Sequence, residues 1–118
     1  MSFAIDVNLL LYSTDRESPF HERAATFLRR CGSGDENLYL AWGTIMGYLR
    51  MATHPVIVSH PLSLEEAMQN MDALLTLGHV RVLSEEEGFW EVYREVARGR
   101  GARANLVPDA HLAALLKQ

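Results

Sequence analysis

Two hydrophobic rhythms divide this chain. Short apolar runs at residues 2–5 (Ser-Phe-Ala-Ile) and 38–42 (Leu-Tyr-Leu-Ala-Trp), and an alternating stretch at 79–83, predict strands. Between them, apolar residues recur at helical spacing. Helices are expected over Val7–Tyr12, His21–Arg30, Thr44–Ala52, Ser63–Leu77, Ser84 to Ala97 and Asp109–Lys117. The pattern is clearest at Leu64, Ala67, Met68, Met71, Leu74 and Leu75.

Local chemistry supplies the boundaries. Ser63 with Glu66 three residues later reads as a capping box, and Ser84 with Glu87 as a second. Gly32-Ser33-Gly34-Asp35 closes the second helix, His54-Pro55 the third and Gly78 the fourth. Pro108 sits near the start of the last helix. The resulting order, β-α-α-β-α-α-β-α-α, predicts an α/β fold with a mainly parallel central sheet, formed by residues 1–118 as a single domain. Ligands of such sheets lie beyond the carboxyl ends of the strands, which is where Asp6 falls.

Composition narrows the class. Of 118 residues, 48% are hydrophobic, enough for one core and too many for a disordered chain. No apolar run is long enough for a transmembrane helix, so no membrane association is expected. The opening Met1-Ser2-Phe3-Ala4-Ile5-Asp6 lacks a signal-peptide pattern, and the single Cys31 cannot form an internal disulfide; both point to the cytoplasm. A formal net charge of −4 argues against non-specific coating of nucleic acid, but not against an enzyme touching RNA through a local basic patch.

Two acids draw the chemistry. Asp6 reads either as a helix N-cap or as a metal ligand on a strand end. Asn8, a polar residue within an apolar segment, is a candidate for fixing that carboxylate's orientation. Asp109 in Asn105-Leu106-Val107-Pro108-Asp109-Ala110-His111 either complements a helix start or shares a divalent cation with Asp6. Magnesium takes few carboxylates and keeps several waters, which suits such a pair. The five histidines lack zinc spacing, and no nucleotide-binding glycine motif occurs. Arg94 and Arg98 read as a solvated helix face paired with Glu91 and Glu95. Arg100 and Arg103, in the glycine-rich stretch leading to Asp109, are the better candidates for RNA phosphates.

These stretches resemble a known family. Ala4-Ile5-Asp6-Val7-Asn8-Leu9-Leu10-Leu11-Tyr12 is similar to the opening of a PIN domain. Trp42-x4-Gly47-Tyr48-Leu49-Arg50-x2-Thr53-x-Pro55 resembles the middle of its VapC toxin branch, and residues 105–115 resemble the third motif. The likeness spans essentially the whole chain. It implies a PIN-like three-layer α/β/α domain and a magnesium-dependent endoribonuclease of a toxin–antitoxin pair. Asp6 and Asp109 would then be catalytic metal ligands for Mg2+, with Mn2+ as the alternative ion. RNA would be the substrate and a small antitoxin protein the partner, inserting a segment into or near the active-site groove.

Two departures qualify the likeness. Where many PIN domains carry a glutamate, this chain has Gly47. Family members also continue beyond the last helix into a further strand, a Thr-x-Asp-type motif with another acid and a final strand. One or two strands are therefore expected to be missing. The family strand order, 3-2-1-4-5, centres strand 1; without the later strands it becomes an exposed edge, as in a truncated product, unless it pairs with a second copy as a homodimer or with another protein, or the last helix folds over the gap. The alternative reading is a catalytically degenerate PIN-like protein that binds an antitoxin or partner chain without turnover, and a third is a fold remnant without selected activity.

Overall fold

A computed structural model describes residues 3–33, 37–101, 103 and 106–118. The expected element order is found: β1 (Phe3–Ala4), α1 (Val7–Thr14), α2 (His21–Ser33), β2 (Leu38–Ala41), α3 (Trp42–Ala52), α4 (Leu64–Leu75), β3 (Val80–Leu83), α5 (Phe89–Arg100) and α6 (Leu106–Lys117). The chain packs as two compact units, Met1–Val82 and Leu83–Gln118.

The sheet has the order β1-β2-β3. β1 and β2 are parallel, with Phe3 opposite Leu38 and Ala4 opposite Tyr39. The amide of Leu38 donates to the carbonyl of His79 at 2.9 Å, at the entrance to β3. Among the described residues, β1 lies at one edge of this sheet.

The first unit is organised by apolar side chains on β2, α1, α3 and α4. Leu38 and Leu40 of β2 are fully buried, and Leu10, Leu11, Ile45, Tyr48, Ala67 and Met71 join them in one core. Full burial of a leucine stabilises by about 2 kcal/mol, so these positions dominate the unit's stability. β2 stops at Ala41, one residue short of the expected run, because Trp42 already opens α3. α4 begins as its capping box predicts: Ser63 Oγ accepts from the Glu66 amide, and Glu66 Oε1 accepts from the Ser63 amide, both at 3.1 Å.

The second unit corrects one boundary. Ser84 and Glu87 do not open a helix. α5 starts at Phe89, and its N-cap is Gly88 with φ 80°, a left-handed conformation that favours glycine. The residues before it are used otherwise: the Gln118 side chain donates to the Ser84 carbonyl at 2.5 Å and accepts from the Glu86 amide at 3.1 Å. α5 ends at Gly101, φ 58°, whose amide donates back to Ala97 and Arg98. α6 begins at Leu106, before Pro108 rather than after it; a proline in the first turn costs no hydrogen bond there. It buries Ala110, Ala114 and Leu115. Among the described residues, no helix is long and apolar enough to cross a membrane. Gly34 and Asp35, expected to close α2, lie outside the described residues; the helix itself runs through Gly32 to Ser33.

Candidate functional site

Asp6 leaves β1 with an extended backbone and caps α1. Its Oδ1 accepts from the Asn8 amide at 2.9 Å and, longer, from the Leu9 amide at 3.4 Å. The free amides of a helix start hold one carboxylate oxygen in place. The residue is exposed, and among the described residues no hydrogen bond engages its Oδ2. The cap, one of the two roles the sequence offers for Asp6, engages Oδ1 and leaves Oδ2 without a hydrogen bond among the described residues.

Asn8 orients Asp6 through its main-chain amide. Its side chain is exposed and makes no hydrogen bond among the described residues. Gly47 of α3 lies beside α1. A Cβ built there would meet Val7 Cγ2 at 3.6 Å, an ordinary contact. Gly47 thus faces the residue that follows Asp6, and a Cβ is accommodated at that position.

In the second unit, Asp109 lies exposed in the first turn of α6, where the helix dipole favours a carboxylate. Two residues on, His111 Nε2 is 2.6 Å from Glu85 Oε1, and its ring meets Phe89 edge-on at 5.5 Å. The hydrogen bond from His111 holds the Glu85 carboxyl below the usual range. This pair, absent from the sequence reading of His111, fixes the first turns of α6 against the segment that enters α5.

Of the four arginines, Arg94 pairs with Glu91, as its spacing predicts. Arg98 and Arg103 are exposed without an acid partner among the described residues. Arg100 is the last residue of α5, and its side chain lies outside the description. Sequence reasoning missed the aromatic face of α5. Trp90 is 63% exposed and stacks on Tyr93 at 5.9 Å. The signal was available, since Trp90, Tyr93, Arg94 and Ala97 recur at helical spacing.

The first unit also carries an open groove of about 760 Å3 between α1, α2 and α4. Leu10, Leu28, Met71, Leu74 and Leu77 make it mainly apolar. At its floor the Tyr48 hydroxyl joins Thr14 Oγ1 and Asn70 Nδ2, each at 3.1 Å.

The donor chemistry decides which metal could be held. No group of three or more His, Cys, Asp or Glu side chains suited to a metal occurs among the described residues. Zinc usually needs a compact set of three or four nitrogen or sulfur ligands, whereas magnesium and manganese accept one or two carboxylates and retain water. Asp6, with an exposed oxygen, fits the second kind of ion.

No family model matches the chain. Individual relatives do. Ribonuclease VapC48 of Mycobacterium tuberculosis (strain H37Rv) is 45% identical over 117 residues, covering 99% of this chain and 81% of that protein. Ribonuclease VapC43 of the same strain is 33% identical over 110 residues, covering 93% and 75% respectively. Ribonuclease VapC37 is 29% identical over 111 residues, covering 94% of this chain and 77% of its own length.

Proposed function

This chain belongs to the VapC ribonucleases, and on that premise we propose that it is a magnesium-dependent endoribonuclease with Asp6 and Asp109 as its metal ligands. The observation that carries the reading is the state of Asp6: one oxygen is fixed by helix amides, and the other has no protein partner among the described residues. A carboxylate held this way needs no reorganisation to accept a cation.

By the family resemblance, Asp6 and Asp109 would hold Mg2+ or Mn2+. When bound, such an ion supplies an acidified water and offsets charge at the scissile phosphate. The chain's residues contribute position and charge. Asp6 is set by the amides of Asn8 and Leu9. Asp109 rides on a helix whose first turns are fixed by the Glu85–His111 pair. Arg103 is exposed, and it and Arg100 are the proposed phosphate contacts.

An antitoxin protein is the expected partner, in the cytoplasm. The apolar groove between α1, α2 and α4 supports this, because an amphipathic segment buries its apolar face in such a surface. A homodimer is proposed on β1, which among the described residues lies at an edge of the sheet and offers hydrogen-bonding groups to a further strand. Gly47, in place of an acid, favours a second reading, in which the chain grips a partner without turnover.

Turnover separates the two readings. A mixed RNA pool incubated with the purified chain is expected to be cleaved in Mg2+ or Mn2+ and preserved in EDTA. An intact pool under every condition, with a folded sample, overturns the enzyme reading.

A further inference from the structure

We propose that the exposed face of α5 is a stacking site for an unpaired base of the RNA, built on Trp90 and continued by Arg98. This deepens the ribonuclease reading by assigning a surface of α5 to a base of the substrate, and it rests on that reading.

The first observation is the indole itself. Trp90 is 63% exposed, a large apolar surface to leave in water. It is also braced. Tyr93 stacks on it at 5.9 Å with 25° between the rings, Phe89 lies 6.3 Å from Tyr93, and His111 meets Phe89 edge-on. A ring supported in this way loses little freedom on binding.

The second observation is charge. The chain is acidic overall, yet the acids of α5 are matched locally: Glu91 pairs with Arg94, and Glu95 with Lys117 at 3.1 Å. Arg98 keeps its charge exposed, two turns and about 12 Å beyond Trp90. Glu86 and Glu87, acids of this stretch with no ion-pair partner among the described residues, precede the helix. The backbone of a bound strand is therefore favoured to run from Trp90 toward Arg98 and Arg103, away from Glu86 and Glu87.

Aromatic rings interleaved with arginines are the surface on which unpaired bases stack while phosphates are neutralised. A paired base in a duplex presents no free face, so the site discriminates single strands from duplexes. A protein partner would also use tryptophan and arginine, and the experiment separates that outcome.

The test is binding without cleavage. Labelled single-stranded RNA of mixed sequence is titrated with the full chain in EDTA and followed by fluorescence anisotropy. Trp90→Ala is expected to raise Kd about tenfold, the equivalent of about 1.4 kcal/mol, and Trp90→Phe to keep most of the affinity. The same sequence as a duplex should bind more weakly, and Arg98→Gln should lower the salt dependence. Single-strand affinity unchanged by Trp90→Ala overturns the proposal, as does a Trp90→Ala chain that loses only self-association. Trp90-dependent binding with no cleavage in any metal leaves the stacking site standing and removes the nuclease reading. Cleavage with unchanged Trp90→Ala affinity does the reverse.

Discussion

The amide nitrogen of Asn8 lies 2.9 Å from Oδ1 of Asp6, so the proposed metal ligand is also the N-cap of α1. One side chain serves the fold with one oxygen and leaves the other available for chemistry.

That double duty separates two variants. Asparagine caps a helix about as well as aspartate, so Asp6→Asn should keep nearly full stability while losing the charge a cation needs. Asp6→Ala should lose the cap as well, at a cost of about 1 kcal/mol. Urea denaturation of the two variants beside the parent chain measures the difference; equal stability of all three would mean the cap contributes nothing.

The capping box of α4 predicts a pH effect. Backbone and side-chain hydrogen bonds with Ser63 hold the Glu66 carboxyl below its ordinary value. A depressed carboxylate contributes stability that is present above its unfolded value and lost as pH falls through its folded one. Glu66→Gln keeps an acceptor but cannot titrate. The gap in Tm between parent and Glu66→Gln should therefore narrow between about pH 6 and about pH 3. A constant gap across that range would contradict the assignment.

Tyr48 ties three helices together beneath the groove. It is 3% exposed, and its hydroxyl meets Thr14 of α1 and Asn70 of α4. Tyr48→Phe preserves the ring's packing and removes both contacts. Thr14 retains its bond to the Leu10 carbonyl at 2.8 Å, so the expected loss is about 1 kcal/mol. Chemical denaturation should show a lower midpoint at an unchanged slope.

Gly47 is a helical glycine with room beside it. Gly47→Ala should stabilise α3 by about 0.8 kcal/mol, since the added methyl meets Val7 at ordinary distance. Gly47→Glu restores the acid that many PIN domains carry there. It should lower the Mn2+ concentration needed for half-maximal cleavage of RNA. An unchanged requirement would show that position 47 does not reach the metal.

Much of this was legible in the sequence, because local rules and tertiary packing agree. The Ser63–Glu66 box, the alternation of apolar runs with helical stripes and the placement of Asp6 after a strand are set by short-range chemistry. Legibility failed where two local solutions competed. Ser84 and Glu87 satisfy the capping pattern, but Gly88 can adopt the left-handed turn and Gln118 takes the Ser84 carbonyl, so the helix starts later. Partners distant in the chain were equally hidden: nothing at His111 announces Glu85, 26 residues earlier. Asn8 looked like a side chain in need of a partner, whereas its amide makes the contact.

RNA cleavage is proposed to depend on a divalent cation held by Asp6 and Asp109. Mn2+ binding followed by electron paramagnetic resonance, run beside cleavage of labelled RNA, tests this in the parent chain, Asp6→Asn and Asp109→Asn. The parent is expected to bind the ion and cleave, and each variant to stay folded and lose both together. Undiminished Mn2+ binding in either variant, or cleavage that persists in EDTA, would contradict it.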